Sequence, residues 1–248
     1  MRSTKADEVA AHLSAGIGVS DGRPSPVPSC EHSDMSTDID VARITVAARL
    51  LPEAQASYLE TDFIMNLLET VLDYQMNTKA VVRALQTFRD RHWDEIRTLD
   101  DLEELFDRFP DDKDGNLDLA RHLWGYDMWT RAHQLRDLAA YFRRIGVVDQ
   151  PSLRRWAGRA LFGRDFEGRV RGLGIAVFQW LVMRQGIETV KPDVHIRRFV
   201  EQALGRSPRD REVIALLEAV ARELGIKAYE LDWRIWEASR AGASPHPT

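Results

Sequence analysis

Several absences narrow the reading of this chain. Its 248 residues contain one cysteine, Cys30. That excludes an internal disulfide framework and a four-cysteine zinc or iron–sulfur site built from this chain alone. No apolar run approaches the roughly 18 residues needed to span a membrane. The N-terminus has no compact apolar stretch followed by a small-residue cleavage site, so no secretory signal is expected and the expected compartment is the cytoplasm. Strand signals are also missing: no convincing apolar–polar alternation, and no Asn-Gly or Asp-Gly turn between β-branched runs. The seven histidines are scattered, with no HExxH or HxxxH pair to set two ligands on one helix face. Neither a metal nor a cofactor is expected. GxGxxG and Walker-type phosphate loops are absent. The calcium-like stretch PDDKDGNLDLAR, Pro110 to Arg121, fails on register. With Gly115 in the sixth position, the first and twelfth ligand positions fall on Pro110 and Arg121, where a calcium loop needs acids. A polar turn is expected there.

Apolar residues make up 44% and charged residues 29% of the chain, as in soluble globular proteins. The formal net charge of −5 is unevenly spread. Residues 1–130 hold 13 Lys/Arg against 25 Asp/Glu, whereas residues 131–212 hold 17 against 9. A basic segment in an acidic chain suits a phosphate-facing surface, and equally an uneven solvated one. Residues 1 to about 38 are rich in Ser, Pro, Gly and Asp. They cannot bury enough surface to offset ordering entropy, so a disordered tail is expected there, with room for a short helix around residues 6–14. Residues 241–248 are expected to be a second tail.

From about Asp40 the apolar period is helical almost throughout, and the fold class expected is all-α. SYLETDFIMNLLETVLDYQ and NTKAVVRALQTFRDRHW read as two helices broken near Met76–Asn77. TLDDLEELFDRF opens on a cap at Thr98 with acids in its first turn. TRAHQLRDLAAYFRRIG stops at Gly146. DVHIRRFVEQALG sets Ile196, Phe199, Val200 and Ala203 on one face. SPRDREVIALLEAVARELG is expected to start with Ser207 as N-cap and Pro208 at the first helical position.

Two stretches carry chemistry. In VRGLGIAVFQW, Gly172 and Gly174 flank Leu173 directly before a wholly apolar helix. Both glycines can adopt positive φ, and Leu173 would plug the turn. The N–H groups of Gly174, Ile175 and Ala176 would then open at a helix start, a site suited to a phosphate. The plain alternative is an ordinary helix–turn–helix connection. The second stretch is KPDVHIRRF. Asp193 stands nineteen residues after Gly174 and precedes an amphipathic helix. It is an excellent N-cap, and in a cleft such a carboxylate could also stabilise a sugar cation and deprotonate a water.

Taken together, the helix, hairpin and apolar helix followed by V-x-x-D-x-H-x-x-R resemble the helix-hairpin-helix (HhH-GPD) DNA glycosylases of the endonuclease III superfamily. Three further stretches follow the family's order: LETVLDYQMNTKAVVRALQTF, GYDMWTRAHQLRDLAAYF and LDWRIWEASR. The likeness covers roughly residues 40–240. It departs where Arg171 replaces the proline of the family's L-P-G-V-G hairpin. It departs again where Ala176, or Val177 in a shifted register, stands in place of the lysine of strand-cutting members. The C-terminal cysteine cluster of many members is missing.

The resemblance implies two helical subdomains with a cleft between them. One is a barrel-like unit over residues 65–189 that includes the hairpin. The other combines 39–64 with 190–240 and carries the catalytic Asp193. It implies a monofunctional glycosylase that flips a damaged or modified base from double-stranded DNA and hydrolyses its N-glycosidic bond. Gln75 would enter the stack, and Gly172, Leu173, Gly174, Ile175 and Ala176 would hold the backbone. Trp124, Tyr126 and Trp129 are taken as candidates for the base pocket, though such a cluster is more often core than base stack. His195 would orient the Asp193 segment or serve structure alone. Lys191 is close in sequence, but no family motif gives it a role. The alternative reading is a non-catalytic helix-hairpin-helix protein that binds DNA or senses damage. A monomer is expected.

Overall fold

Helix starts fall mainly where side chains can satisfy the first free amides. The computed structural model describes residues 31–54, 59–73 and 76–241. Gln75, Cys30 and residues 1–30 lie outside them. Eleven α-helices run through the described residues, and no strand is present among them: α1 (Glu31–Ala48), α2 (Phe63–Leu72), α3 (Thr78–His92), α4 (Leu99–Phe106), α5 (Lys113–Trp124), α6 (Trp129–Arg144), α7 (Gln150–Ala157), α8 (Ile175–Met183), α9 (Val194–Leu204), α10 (Asp210–Leu224) and α11 (Ala228–Arg240). A π-helical turn, Phe162–Phe166, lies between α7 and α8. No helix among the described residues is long and apolar enough to cross a membrane.

Thr98 closes a capping box with Asp101 at the start of α4, as its position after a polar turn predicts. Asp149 does the same for α7, with a proline in the first turn. Three boundaries differ from expectation. First, α1 begins at Glu31, inside the stretch assigned to a tail ending near 38. Ile44 and Ala48 are buried in its distal turns, and once a helix is anchored each added residue gains one backbone hydrogen bond for the two dihedrals it fixes. Second, the calcium-like stretch is not a polar turn but the start of α5. Asp112 accepts from the Gly115 amide at 2.8 Å, and a Cβ at Gly115 would lie 2.1 Å from the Pro110 carbonyl oxygen. That glycine therefore serves close backbone approach. Third, α10 begins at Asp210 with Arg209 as its N-cap. Ser207 donates to Glu201 at 2.5 Å instead of capping the helix.

Buried apolar side chains form two clusters. One runs from Phe63 to Val182. The other joins Ile44 and Ala48 of α1 to residues from Val190 to Ile235. Helix α8 serves both, because Val177, Phe178 and Leu181 enter the first while Ile175 packs on the second. A helix between two cores must be apolar on every side, which accounts for IAVFQWLVM.

One charge ends that apolar helix. The Arg184 side chain is fully buried and sits 3.0 Å from the Glu69 carboxylate of α2. It also donates to Thr70 Oγ1 and, at 3.2 Å, to the Asn66 carbonyl. Gln185 donates to Asn66 Oδ1 at 2.8 Å, and Gln150 of α7 donates to Gln185 Oε1 at 2.7 Å. Removing one partner of a buried ion pair leaves the other desolvated charge behind. Arg184→Ala should therefore lower the unfolding free energy by about 3–5 kcal/mol in denaturant titrations. Arg184→Met combined with Glu69→Gln should lose distinctly less. A loss under about 1 kcal/mol for the single variant would contradict this assignment.

Candidate functional site

The cap of α9 forms as the sequence suggests. Asp193 has extended backbone, and its Oδ1 accepts from the amides of His195 at 2.8 Å and Ile196 at 3.1 Å. Among the described residues no donor reaches Oδ2. The cap also lines a cavity of about 240 Å³ whose aromatic wall is Trp180 of α8 with Trp233 and Trp236 of α11. Trp233 lies edge-on to both others, at centroid distances of 6.3 and 5.4 Å.

The same cavity holds Glu69, Asp73, Lys191 and Asp232. Lys191 is ion-paired with Asp73, and its ammonium sits 5.0 Å from the Trp180 ring centroid. Asp232 projects from α11 into a nearly closed environment, 6% exposed. It accepts from the Lys191 backbone amide at 2.7 Å. Burial pushes its carboxyl up to about 7. The Asp193 carboxylate adds to the rise, while the Lys191 amide and ammonium oppose it. A second carboxylate facing the same cavity disfavours ionisation of a buried acid, so Asp232 holds its proton well above the usual aspartate range.

A second hollow of about 300 Å³ adjoins the first, and Asp73, Trp180, Lys191, Asp193 and Trp236 line both. It adds Ala176, Val177 and His195. His195 Nδ1 lies 2.8 Å from Ser239 Oγ of α11, which fixes its ring beside the cap. Ala176 belongs to the first turn of α8, directly after the glycine hairpin. Gly172 takes φ +85, and a Cβ there would meet Gln134 Nε2 at 2.6 Å. That amide donates to the Arg171 carbonyl at 3.1 Å, tying the turn to α6. Leu173 is 4% exposed and plugs the turn. Gly174, expected to share the positive φ, is instead extended at −95. One left-handed residue suffices to reverse the chain here. Gly172 and Gly174 are exposed. The α8 start has no side-chain cap, and the amides of Gly174, Ile175 and Ala176 find no acceptor among the described residues. Arg169 and Arg171 flank the turn, both exposed. The element before the hairpin is the π-helical turn, not an α-helix.

The structure therefore brings Asp193, His195, Lys191 and the first turn of α8 to one place. The three aromatics expected as candidates for a base pocket do not meet at this place. Trp124 is 1% exposed inside the first core, because it closes the apolar face of α5 formed by Leu119, Ala120 and Leu123. Tyr126 packs on that core, and Trp129 opens α6, 36% exposed. None of the three lines the cavity. The wall comes from Trp180, Trp233 and Trp236 instead, and the acid Asp232 was not anticipated. LDWRIW does contain a signal: Asp232 sits beside Leu231 on a helix whose buried face also includes Ile235. Trp233 and Trp236 are spaced three apart, so they share a surface.

A family model described as a domain of unknown function, DUF8548, matches residues 66–240, from within α2 to the end of α11. Comparison with curated proteins and with solved structures gives no match.

The buried acid sets a pH dependence. In the unfolded chain an aspartate ionises near 4, whereas the folded Asp232 keeps its proton to about 7. Between these values the fold binds the extra proton, so its contribution is full below pH 4 and is lost as pH rises to 7. Asp232→Asn keeps an acceptor for the Lys191 amide and cannot ionise. Its stability relative to the wild type should climb by on the order of 2–4 kcal/mol from pH 4 to 7 and level off above. Denaturant titrations across that range read it directly, and a pH-independent difference would refute the assignment.

Proposed function

This chain belongs to the DUF8548 family, a domain of unknown function, and we propose that it is a monofunctional DNA glycosylase. The observation that carries the reading is the shared hollow. The open helix start after Gly172–Gly174 and the carboxylate of Asp193 meet in one space, with Ala176 and Asp193 both on its surface. A phosphate on the free amides would hold the strand. The flipped base would enter the tryptophan-walled cavity, where stacking on an aromatic ring compensates the cost of leaving the duplex. The two apolar clusters with α8 between them support two helical subdomains.

Asp193 then faces the sugar. As the C1′–N bond breaks, its electrons leave with the base, and the negative carboxylate stabilises the oxocarbenium ion. A water attacks C1′ and gives its proton to the carboxylate. With Asp232 protonated, the second acid adds no competing charge. Strand cleavage through an amine is disfavoured on two counts. Ala176 and Val177 occupy the lysine's place in the resembling family, and Lys191 is committed to Asp73. The partner is double-stranded DNA containing a damaged or modified base, met by a monomer in the cytoplasm. A second reading, a non-catalytic DNA-binding protein, is favoured by one fact: Asp193 Oδ1 is already occupied by two amides, as in any structural cap.

An alkali-developed base-release assay distinguishes the two. Duplexes should carry alkylated purines, mismatched adenine, uracil or thymine, and modified bases. Asp193→Asn should slow release by at least about 100-fold while duplex affinity holds, since asparagine caps as well as aspartate. Unchanged release would overturn the role of Asp193. Binding with no release on any duplex establishes the second reading, and a nick without alkali would contradict the monofunctional assignment.

A further inference from the structure

A larger hollow, about 420 Å³, shares no lining residue with the cavities around Asp193. It opens where the end of α6, α7 and the π-helical turn converge. Its floor is Tyr141 and Trp156, which are 4% and 5% exposed. Four arginines stand around that floor: Arg144, Arg159, Arg164 and Arg169. A single carboxylate, Asp165, faces them.

Asp165 is already used. Arg164 forks onto both its oxygens at 2.8 and 2.7 Å, and the Leu161 amide donates to it at 2.7 Å. These contacts, the Arg164 pair foremost, hold its carboxyl below the usual range. The other three guanidiniums have no carboxylate partner among the described residues. Arg144 lies 5.8 Å over the Tyr141 ring, and Arg169 donates to the Arg164 carbonyl at 3.3 Å. Converging like charges repel, so this arrangement gains most from a multivalent anion. The planar guanidinium fork matches phosphate oxygens, donating two parallel N–H bonds to each group.

The place of the hollow matters as much as its charge. Arg169 on its rim precedes Gly172 by three residues. At 3.8 Å per Cα step, the two are at most about 11 Å apart, or about three nucleotides of axial rise along one strand. A backbone held at the hairpin amides would thus bring a further phosphate within reach of the arginines.

We propose that this hollow is a phosphate-binding pocket that takes the backbone of the DNA strand beyond the hairpin contact. The chemistry recognised is a phosphate ester on an arginine cluster, and its assignment to DNA rests on the function proposed above.

The test uses the full chain with Arg144→Ala and Arg159→Ala combined, both exposed positions. The double Arg→Lys variant keeps the charge, and melting temperatures check the fold. With duplex DNA, the plot of log affinity against log salt should become shallower by about 0.9 for each phosphate no longer neutralised. Affinity at 0.1 M salt should fall at least about tenfold, with the lysine variant in between. Inorganic pyrophosphate, followed by amide and guanidinium NMR shifts, should perturb residues lining this hollow in the wild type and not in the alanine variant. Wild-type slope and affinity in the alanine variant would overturn the strand assignment while leaving the DNA reading intact. A wild type that binds no duplex, yet shows the pyrophosphate shifts, would overturn it differently. The pocket would then serve a free phosphorylated ligand, and the DNA reading would fall with the strand assignment.

Discussion

The buried guanidinium of Arg184 is the constraint on which the candidate site depends. It ends α8 and ties that helix to α2 through Glu69, Thr70 and the Asn66 carbonyl. Fixing the C-terminal end of a nine-residue helix also fixes its start, where the glycine hairpin presents its free amides. The same anchor sets the lower wall of the cavity, since Glu69 is both the partner of Arg184 and a lining residue. Trp180 lies between the two functions, with the Arg184 guanidinium 5.4 Å and the Lys191 ammonium 5.0 Å from its ring centroid. Packing density makes such a joint rigid, because interiors deform in discrete rearrangements and not continuously. Hairpin and cavity are therefore positioned as one piece.

What could be read from the sequence was what local chemistry decides. The Asp193 cap and the Thr98 capping box need only their own next three residues. The turn at Gly172 needs only a residue free to adopt positive φ. All three take shape as their local patterns suggest, and so does the apolar face of α9. The tryptophan wall is different. Trp180 precedes Trp233 and Trp236 by more than fifty residues, and only tertiary packing puts them together. Trp124 carried as much aromatic character as any of them, yet its place on the buried face of α5 sends it into the core. Asp232 and Arg184 share a further lesson. Each is a charge on an otherwise apolar helical face, and burial obliges such a group to bring a partner or to neutralise. Arg184 brings Glu69, while Asp232 holds its proton. The sequence marks that each must do something without saying which.

The charge asymmetry along the chain acquires a spatial meaning. The segment from 131 to 212 supplies Arg144, Arg159, Arg164 and Arg169 to one hollow and Arg171 to the hairpin. The cavity beside Asp193 is of the opposite character, lined by four acids with Lys191 as the one cation among its described lining residues. Under the proposed function these signs are complementary demands of one reaction. The strand is an anion and needs cations and amides along its backbone. The reacting sugar becomes a cation and needs a carboxylate at C1′. A uniformly basic surface would serve the first and hinder the second.

That division also explains why a buried acid belongs next to Asp193. Were Asp232 ionised, its nearly buried charge would face the Asp193 carboxylate, and burial with that repulsion raises its proton affinity. Asp193 accepts from two backbone amides at the start of α9. Asp232 has one amide and deeper burial. Asp232 of α11 therefore keeps its proton towards neutral pH, and the Asp193 carboxyl lies at the edge of the hollow shared with the hairpin. Under the proposed function, a carboxylate positioned there by the resting fold would need no rearrangement at the moment a cation forms beside it.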